Sequence, residues 1–147
     1  YGHANSTLIG GTRMVNGIGG SGDFLRNSFL SIMHAPSCRP SKTDEFGMSC
    51  VVPKVSHCDH TEHDLDCLVT EQGLADLRGL APRQRALEII DKCAHPAYKD
   101  ILLDYYNLAL RICMENGAGH EPQLLNYVYK MQDNLATNGT MRLESWE

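Results

Sequence analysis

Two stretches of this sequence carry residue types and spacings that chemistry can use. The first is Gly17-Ile18-Gly19-Gly20-Ser21-Gly22-Asp23-Phe24, with four glycines in six residues leading into a helix start. Missing side chains let a bulky ligand approach the backbone, and the exposed amides then suit a phosphate or a developing oxyanion. A plain tight turn satisfies the same pattern. The second is His57-Cys58-Asp59-His60-Thr61-Glu62-His63-Asp64, a run rich in metal-ligand types. It contains no HExxH, and no second ligand pair lies at zinc-finger spacing. One reading is a zinc-dependent structural module on His57, Cys58, His60 and His63; the other is a hydrogen-bonded loop whose histidines bridge strand ends. Glu62 and Glu71 are candidates for a nucleophile or base. A Gly-x-Ser-x-Gly elbow and a Gly-Lys-Ser/Thr phosphate loop are both missing.

The elements that must position these groups divide along the chain. Residues 1–70 read as strand and loop, with short apolar runs at 7–9, 29–33, 48–52 and 65–69 bounded by Gly, Pro, Ser or Asp. Residues 22–27 read as one or two helical turns, with Asp23 well placed near the positive end. Residues 35–47 hold two prolines, two serines and several charges, and read as a surface loop. Residues 82–135 read as helical. Pro82 opens the first helix, with Ala86, Ile89, Ile90 and Cys93 on one face. Pro96 stands near a second start, followed by a stripe through Ile101, Leu102, Tyr105, Leu108, Ala109 and Ile112. A third helix is expected from Pro122 to about Leu135, with Leu124, Leu125, Val128 and Met131 inward. From about residue 136 the chain reads as a tail that leans on something else.

With 147 residues the chain has the size of one domain with a real core. A formal charge of −5 without a basic cluster argues against a nucleic-acid surface. The apolar runs are too short to span a bilayer, and no signal-peptide pattern opens the chain. Six scattered cysteines without a CxxC pair read as reduced, mostly buried thiols of an intracellular protein. The start at Tyr1, already in patterned sequence, reads as a segment of a longer polypeptide.

Taken in order, the words of the sequence are more specific than any one of them. They are Tyr1-Gly2-His3-Ala4-Asn5-Ser6-Thr7, the stretch from Asn16 through the glycine turn to Phe24, Val52-Pro53, Val55-Ser56-His57, Asp59 to Asp64, Val69 to Leu80, and Cys93-Ala94-His95-Pro96. Together they resemble the C-terminal domain of the acetyl-CoA hydrolase/transferase family, the class I CoA-transferases that include succinyl-CoA:acetate and 4-hydroxybutyrate CoA-transferases. The resemblance covers nearly the whole chain, most strongly residues 1–37 and 48–97.

The resemblance implies an α/β fold, part of an open sheet with flanking helices and a helical C-terminal part. Residues 1–147 would form a C-terminal hydrolase/transferase domain truncated at its N-terminus. It implies a CoA-transferase that moves CoA between acetyl- or succinyl-CoA and a carboxylic acid through a glutamyl-CoA thioester. An acyl-CoA hydrolase, in which water replaces the acceptor acid, is the alternative. Gly20 would supply the oxyanion-hole amide, Gly19 would let the thioester approach, and Lys42 would hold CoA, with Arg39 as a second candidate for that role. The loop after Pro36-Ser37 is a few residues longer than the family's usual Ala-Lys-Gly-Gly form. The nucleophilic glutamate is expected upstream of Tyr1, so Glu62 and Glu71 are not assigned that role and the chain by itself is expected to be inert. No metal or cofactor is expected, CoA thioester being the substrate. The expected partners are acyl-CoA and small carboxylates, with no nucleic acid or membrane. The full-length protein is expected to be a homodimer in the cytoplasm or mitochondrial matrix.

Overall fold

The computed structural model describes residues 1–147, and its architecture is mixed α/β. At its centre β6 (Cys67–Thr70) lies between β3 (Ile32–His34), which it pairs in parallel, and β7 (Gly73–Asp76), which it pairs antiparallel. Met33 stands opposite Leu68, and Leu68 opposite Ala75. Two further two-stranded ladders are formed by β1 (Leu8–Ile9) with β2 (Arg13–Met14), and by β4 (Cys38–Arg39) with β5 (Met48–Ser49). The first is turned by Gly10 and Gly11, both at positive φ. A short helix, α1 (Ser21–Asn27), leads from the glycine turn toward β3.

Pro82 opens α2 (Pro82–Cys93), where the Gln84 side chain accepts from the Ala81 amide at 2.8 Å. Pro96 opens α3 (Pro96–Glu115), with His95 Nδ1 accepting from the Ala97 amide at 3.2 Å. Leu65, Ala75, Leu77, Ile89 and Cys93 form a compact core between the sheet and α2. The fit is close: a Cβ at Gly73 would lie 2.9 Å from the Lys92 carbonyl, so β7 starts where only glycine lets the helix end sit. A larger core gathers Tyr98, Leu102, Tyr105 and Ala109 of α3 with Val128, Met131, Met141 and Trp146.

The sequence-based expectations need several corrections. The third helix, α4, spans Lys130–Asn138 rather than starting at Pro122. The segment before it is held by tertiary hydrogen bonds that compete with helix: the Tyr105 hydroxyl donates to Gln123 Oε1 at 2.6 Å and accepts from the Leu124 amide at 3.1 Å, and Gln123 Nε2 donates to the Pro53 carbonyl. Leu125, expected inward, is 77% exposed. The tail leans on its own domain, with Met141 and Trp146 buried in the larger core and Trp146 Nε1 donating to the Ile101 carbonyl at 2.7 Å. The strand expected at 29–33 lies instead at Ile32–His34, and Phe29 is fully exposed. The loop at 35–47 contains β4 and buries Ser37 and Asp44. β7 was not expected at all. All six cysteines are free, but only Cys67 and Cys93 are buried.

Candidate active site

The glycine turn is an open element. Residues 17–20 are exposed, Gly19 adopts φ +57° and Gly20 caps α1 at φ −88°, ψ 8°. The Ser21 amide and hydroxyl both donate to the Ile18 carbonyl, at 3.3 and 2.7 Å, closing the turn. The amides of Gly19 and Gly20 have no acceptor within the chain. Beside the turn lies an open concavity of about 540 Å³, lined by Thr7, Met14, Val15, Asn16, Gly17, Ile18 and Asp59. Unpaired amides on an exposed turn beside a concavity are free to bind an acceptor oxygen of a ligand.

The histidine-rich run ties the first residues of the chain to this turn. Asp59, whose side chain is 5% exposed, accepts from the Ser6 amide at 2.7 Å, the Thr7 amide at 3.0 Å and the Thr7 hydroxyl at 2.9 Å. Burial pushes its pKa up, but these donors and the nearby His57 outweigh it and hold the carboxyl below its usual value. Glu62 takes His3 Nε2 on one oxygen at 2.7 Å and His63 Nε2 on the other at 3.2 Å. Arg85 donates to the carbonyls of Tyr1, Glu62 and Leu65 at 2.9–3.0 Å, fixing the same corner from α2. His60 is buried and its Nε2 lies 2.8 Å from the Ser21 hydroxyl. The single hydroxyl hydrogen points to Ile18, so the network assigns the proton at this contact to His60 Nε2.

The four residues of the zinc reading therefore have separate partners: His57 with Asp59, Cys58 with the His60 carbonyl, His60 with Ser21, and His63 with Glu62. His3 and His63 meet on Glu62 through hydrogen-bonded contacts, and no group of three or more His, Cys, Asp or Glu side chains is placed to hold a metal ion.

A second polar knot lies at Ser37. Its amide donates to Glu71 Oε2 at 2.9 Å and its hydroxyl to Glu71 Oε1, which also takes Gln72 Nε2 at 3.2 Å. The hydrogen bond from the Ser37 hydroxyl is the largest influence on Glu71 and, with the amide, holds its pKa at about 2. Both Glu62 and Glu71 thus have both oxygens engaged in holding loops. Lys42 is exposed, five residues beyond Ser37, and no hydrogen bond or ion pair joins it to the glycine turn. Arg39 is exposed on β4.

The profile of the acetyl-CoA hydrolase/transferase C-terminal domain matches residues 1–106. The chain belongs to the acetyl-CoA hydrolase/transferase family. It is 61% identical over 146 residues to the acetyl-CoA hydrolase of Schizosaccharomyces pombe, covering 99% of this chain and 28% of that protein. With the acetyl-CoA hydrolase of Saccharomyces cerevisiae it shares 58% identity over 147 residues, again 28% of the relative. Among solved structures it resembles RipA from Yersinia pestis, with a TM-score of 0.51 and 28% identity over 67% of this chain and 21% of RipA. The chain therefore spans little more than a quarter of the curated relatives it matches.

Within the family frame, the glycine turn and the histidine-rich run were both visible as sequence words, whereas their physical link, Ser21 to His60, was not. The Ser37–Glu71 contact was also missed. Its only sequence trace is that Glu71 sits in the Val69–Leu80 word and Ser37 in the Pro36-Ser37 pair, 34 residues earlier.

Proposed function

We propose that this chain is the CoA-thioester-handling C-terminal part of an acetyl-CoA hydrolase. The observation that carries this reading is near-continuous identity of 58–61% to fungal acetyl-CoA hydrolases along essentially the whole chain. A glycine turn with unpaired amides beside an open concavity supports it chemically.

In this reading Gly20 donates its amide to the thioester oxygen as it becomes an oxyanion, and Gly19 leaves room for the acyl group. Lys42 holds CoA. A glutamate from the rest of the polypeptide attacks the thioester carbonyl carbon, the C–S bond breaks, and CoA thiolate leaves behind a mixed anhydride. The thiolate then attacks the glutamyl carbonyl, releasing acetate and forming a glutamyl-CoA thioester. Water cleaves that thioester to restore the glutamate and free CoA. Dividing the reaction into successive acyl transfers, to the glutamate, to CoA thiolate and to water, is covalent catalysis, and each tetrahedral oxyanion uses the same preorganised donor.

CoA transfer is the second reading, favoured by the family's shared hydrolase/transferase domain. It differs only in the last acceptor, a carboxylate in place of water. Incubating the full-length protein with acetyl-CoA, with and without succinate, separates the two. Stoichiometric free CoA and acetate without an acceptor supports the hydrolase; turnover that depends on succinate and yields succinyl-CoA supports the transferase.

A further inference from the structure

The loop that carries Lys42 is clamped by the far end of the chain. The clamp centres on Asp44, whose side chain has no exposed surface. Its carboxylate accepts from the Phe46 amide at 2.9 Å, from the Thr140 hydroxyl and from Arg142 Nε at 3.2 Å. Thr43 donates its hydroxyl to the Gly139 carbonyl, and the Arg142 guanidinium lies 5.1 Å above the Phe46 ring. Below the loop, the buried Tyr98 hydroxyl donates to the Gly47 carbonyl at 2.6 Å. The segment on top is itself fixed: Asn134 Nδ2 donates to the carbonyls of Thr140 and Arg142, and Met141 and Trp146 are buried in the α3 core. A buried carboxylate with one donor from its own loop and two from a distant segment is a rigid joint rather than a surface contact. Lys42 projects from this joint, exposed and with no hydrogen bond or ion pair of its own. The family profile ends at residue 106, whereas the fungal relatives align through the clamp.

We propose that residues 139–146 form a strap that positions the Lys42 loop for CoA, with Arg142 as the positioning residue acting through Asp44. This rests on the reading of Lys42 as the CoA-holding lysine. The strap limits the loop's freedom before CoA arrives, so less ordering is left for binding to impose. Its loss weakens binding of the CoA thioester and leaves the acyl chemistry at the glycine turn unaltered.

The test uses the full-length enzyme and four variants: Arg142→Ala, Arg142→Lys, Lys42→Ala and the double variant Lys42→Ala/Arg142→Ala. Two readouts are taken, acetyl-CoA kinetics and the rate of tryptic cleavage after Lys42. That bond is the susceptible one in the loop, because Arg39 is followed by Pro40. Arg142→Ala is expected to raise KM for acetyl-CoA about five- to tenfold with kcat within about twofold, and to speed cleavage after Lys42. Arg142→Lys, which keeps a charge but not the Nε donor, shows the same split at smaller amplitude and replaces the alanine variant if that one does not fold. The double variant is expected to bind no worse than Lys42→Ala alone, because an ordered loop is of no use without its lysine. If Lys42→Ala raises KM but both Arg142 variants leave KM and cleavage unchanged, the strap proposal fails while the lysine reading stands. If Arg142→Ala speeds cleavage but Lys42→Ala leaves KM unchanged, the lysine reading fails and takes the strap's positioning role with it.

Discussion

His60 Nε2 lies 2.8 Å from the Ser21 hydroxyl, so a buried histidine touches the residue that follows Gly20. The contact joins the histidine-rich run to the turn that offers free amides. His60 also lies in a backbone bridge with Ala4, which brings the first word of the sequence to the same place.

His60→Ala is expected to act mainly on stability. It removes a buried side chain and leaves the Ser21 hydroxyl still bonded to Ile18, at a cost of about 1–3 kcal/mol. Thermal unfolding of the full-length protein should show the loss, while kcat of the remaining folded enzyme falls far less than in Gly20→Ala. A selective loss of turnover with unchanged melting would instead give His60 a part in the chemistry.

Gly20→Ala separates activity from folding in the opposite sense. At φ −88° alanine is unstrained, and the added Cβ meets only the Phe24 ring edge at 3.4 Å. Melting is expected to stay within about 2 °C. The Cβ would stand where the thioester approaches and keep its oxygen out of reach of the retained amide, so kcat should fall by about 10²–10³, as it does when an oxyanion donor is lost. Parallel losses of folding and turnover would make this glycine structural.

Asp44 gives the clamp an acid limit. Burial opposes its charge, but the Thr140 hydroxyl, the Phe46 amide and Arg142 outweigh that and hold its pKa below 3.8. A carboxylate depressed in the folded state contributes stability in full above the unfolded value and loses it as pH falls through the lower native value. Cleavage after Lys42 by an acid-active protease should therefore rise below about pH 4 in the wild type. Asp44→Asn should show the raised cleavage already at neutral pH and little further change in acid.

Glu71 should titrate at about 2, held down by the Ser37 hydroxyl and amide. Carbon-detected NMR of the side-chain carboxyl in labelled protein would read this directly. Ser37→Ala removes the hydroxyl, the strongest of the donors, and is expected to move the titration upward toward the ordinary 4.5. An unchanged midpoint would mean that the pair is not formed in solution.

Trp146 tests whether the C-terminal segment belongs to the core. It is 3% exposed, packs 4.8 Å from the Tyr105 ring and donates to Ile101. Trp146→Ala is expected to cost about 3–5 kcal/mol, the range for a buried large aromatic. A loss below about 1 kcal/mol in denaturant unfolding would show a loosely attached tail.

How much of this was legible in the sequence depends on whether the cause was local. α2 and α3 were readable because Pro82 and Pro96 mark starts and the apolar stripes follow helical spacing. α4 was misplaced because Gln123 and Leu124 are held by Tyr105, from another helix. β7 was invisible because Gly73-Leu74-Ala75-Asp76 is too short and too plain to declare itself away from β6. The burial of Trp146 likewise depends on a distant partner, Ile101. For the site, the glycine turn and the polar run are contiguous words and could be read directly. The joints Ser21–His60, Ser37–Glu71 and Asp44–Arg142 bring together residues 39, 34 and 98 positions apart. Periodicity and composition carry no signal over such separations.

The central claim is that this chain supplies the oxyanion amide and CoA contacts while the nucleophilic glutamate comes from elsewhere in the polypeptide. Its most direct test is to mix the full-length protein with acetyl-CoA, reduce with borohydride and map the modified peptide by mass spectrometry. The account predicts one reduced glutamate, outside residues 1–147. A label on Glu62 or Glu71, or no label while acetyl-CoA is still turned over, would contradict it.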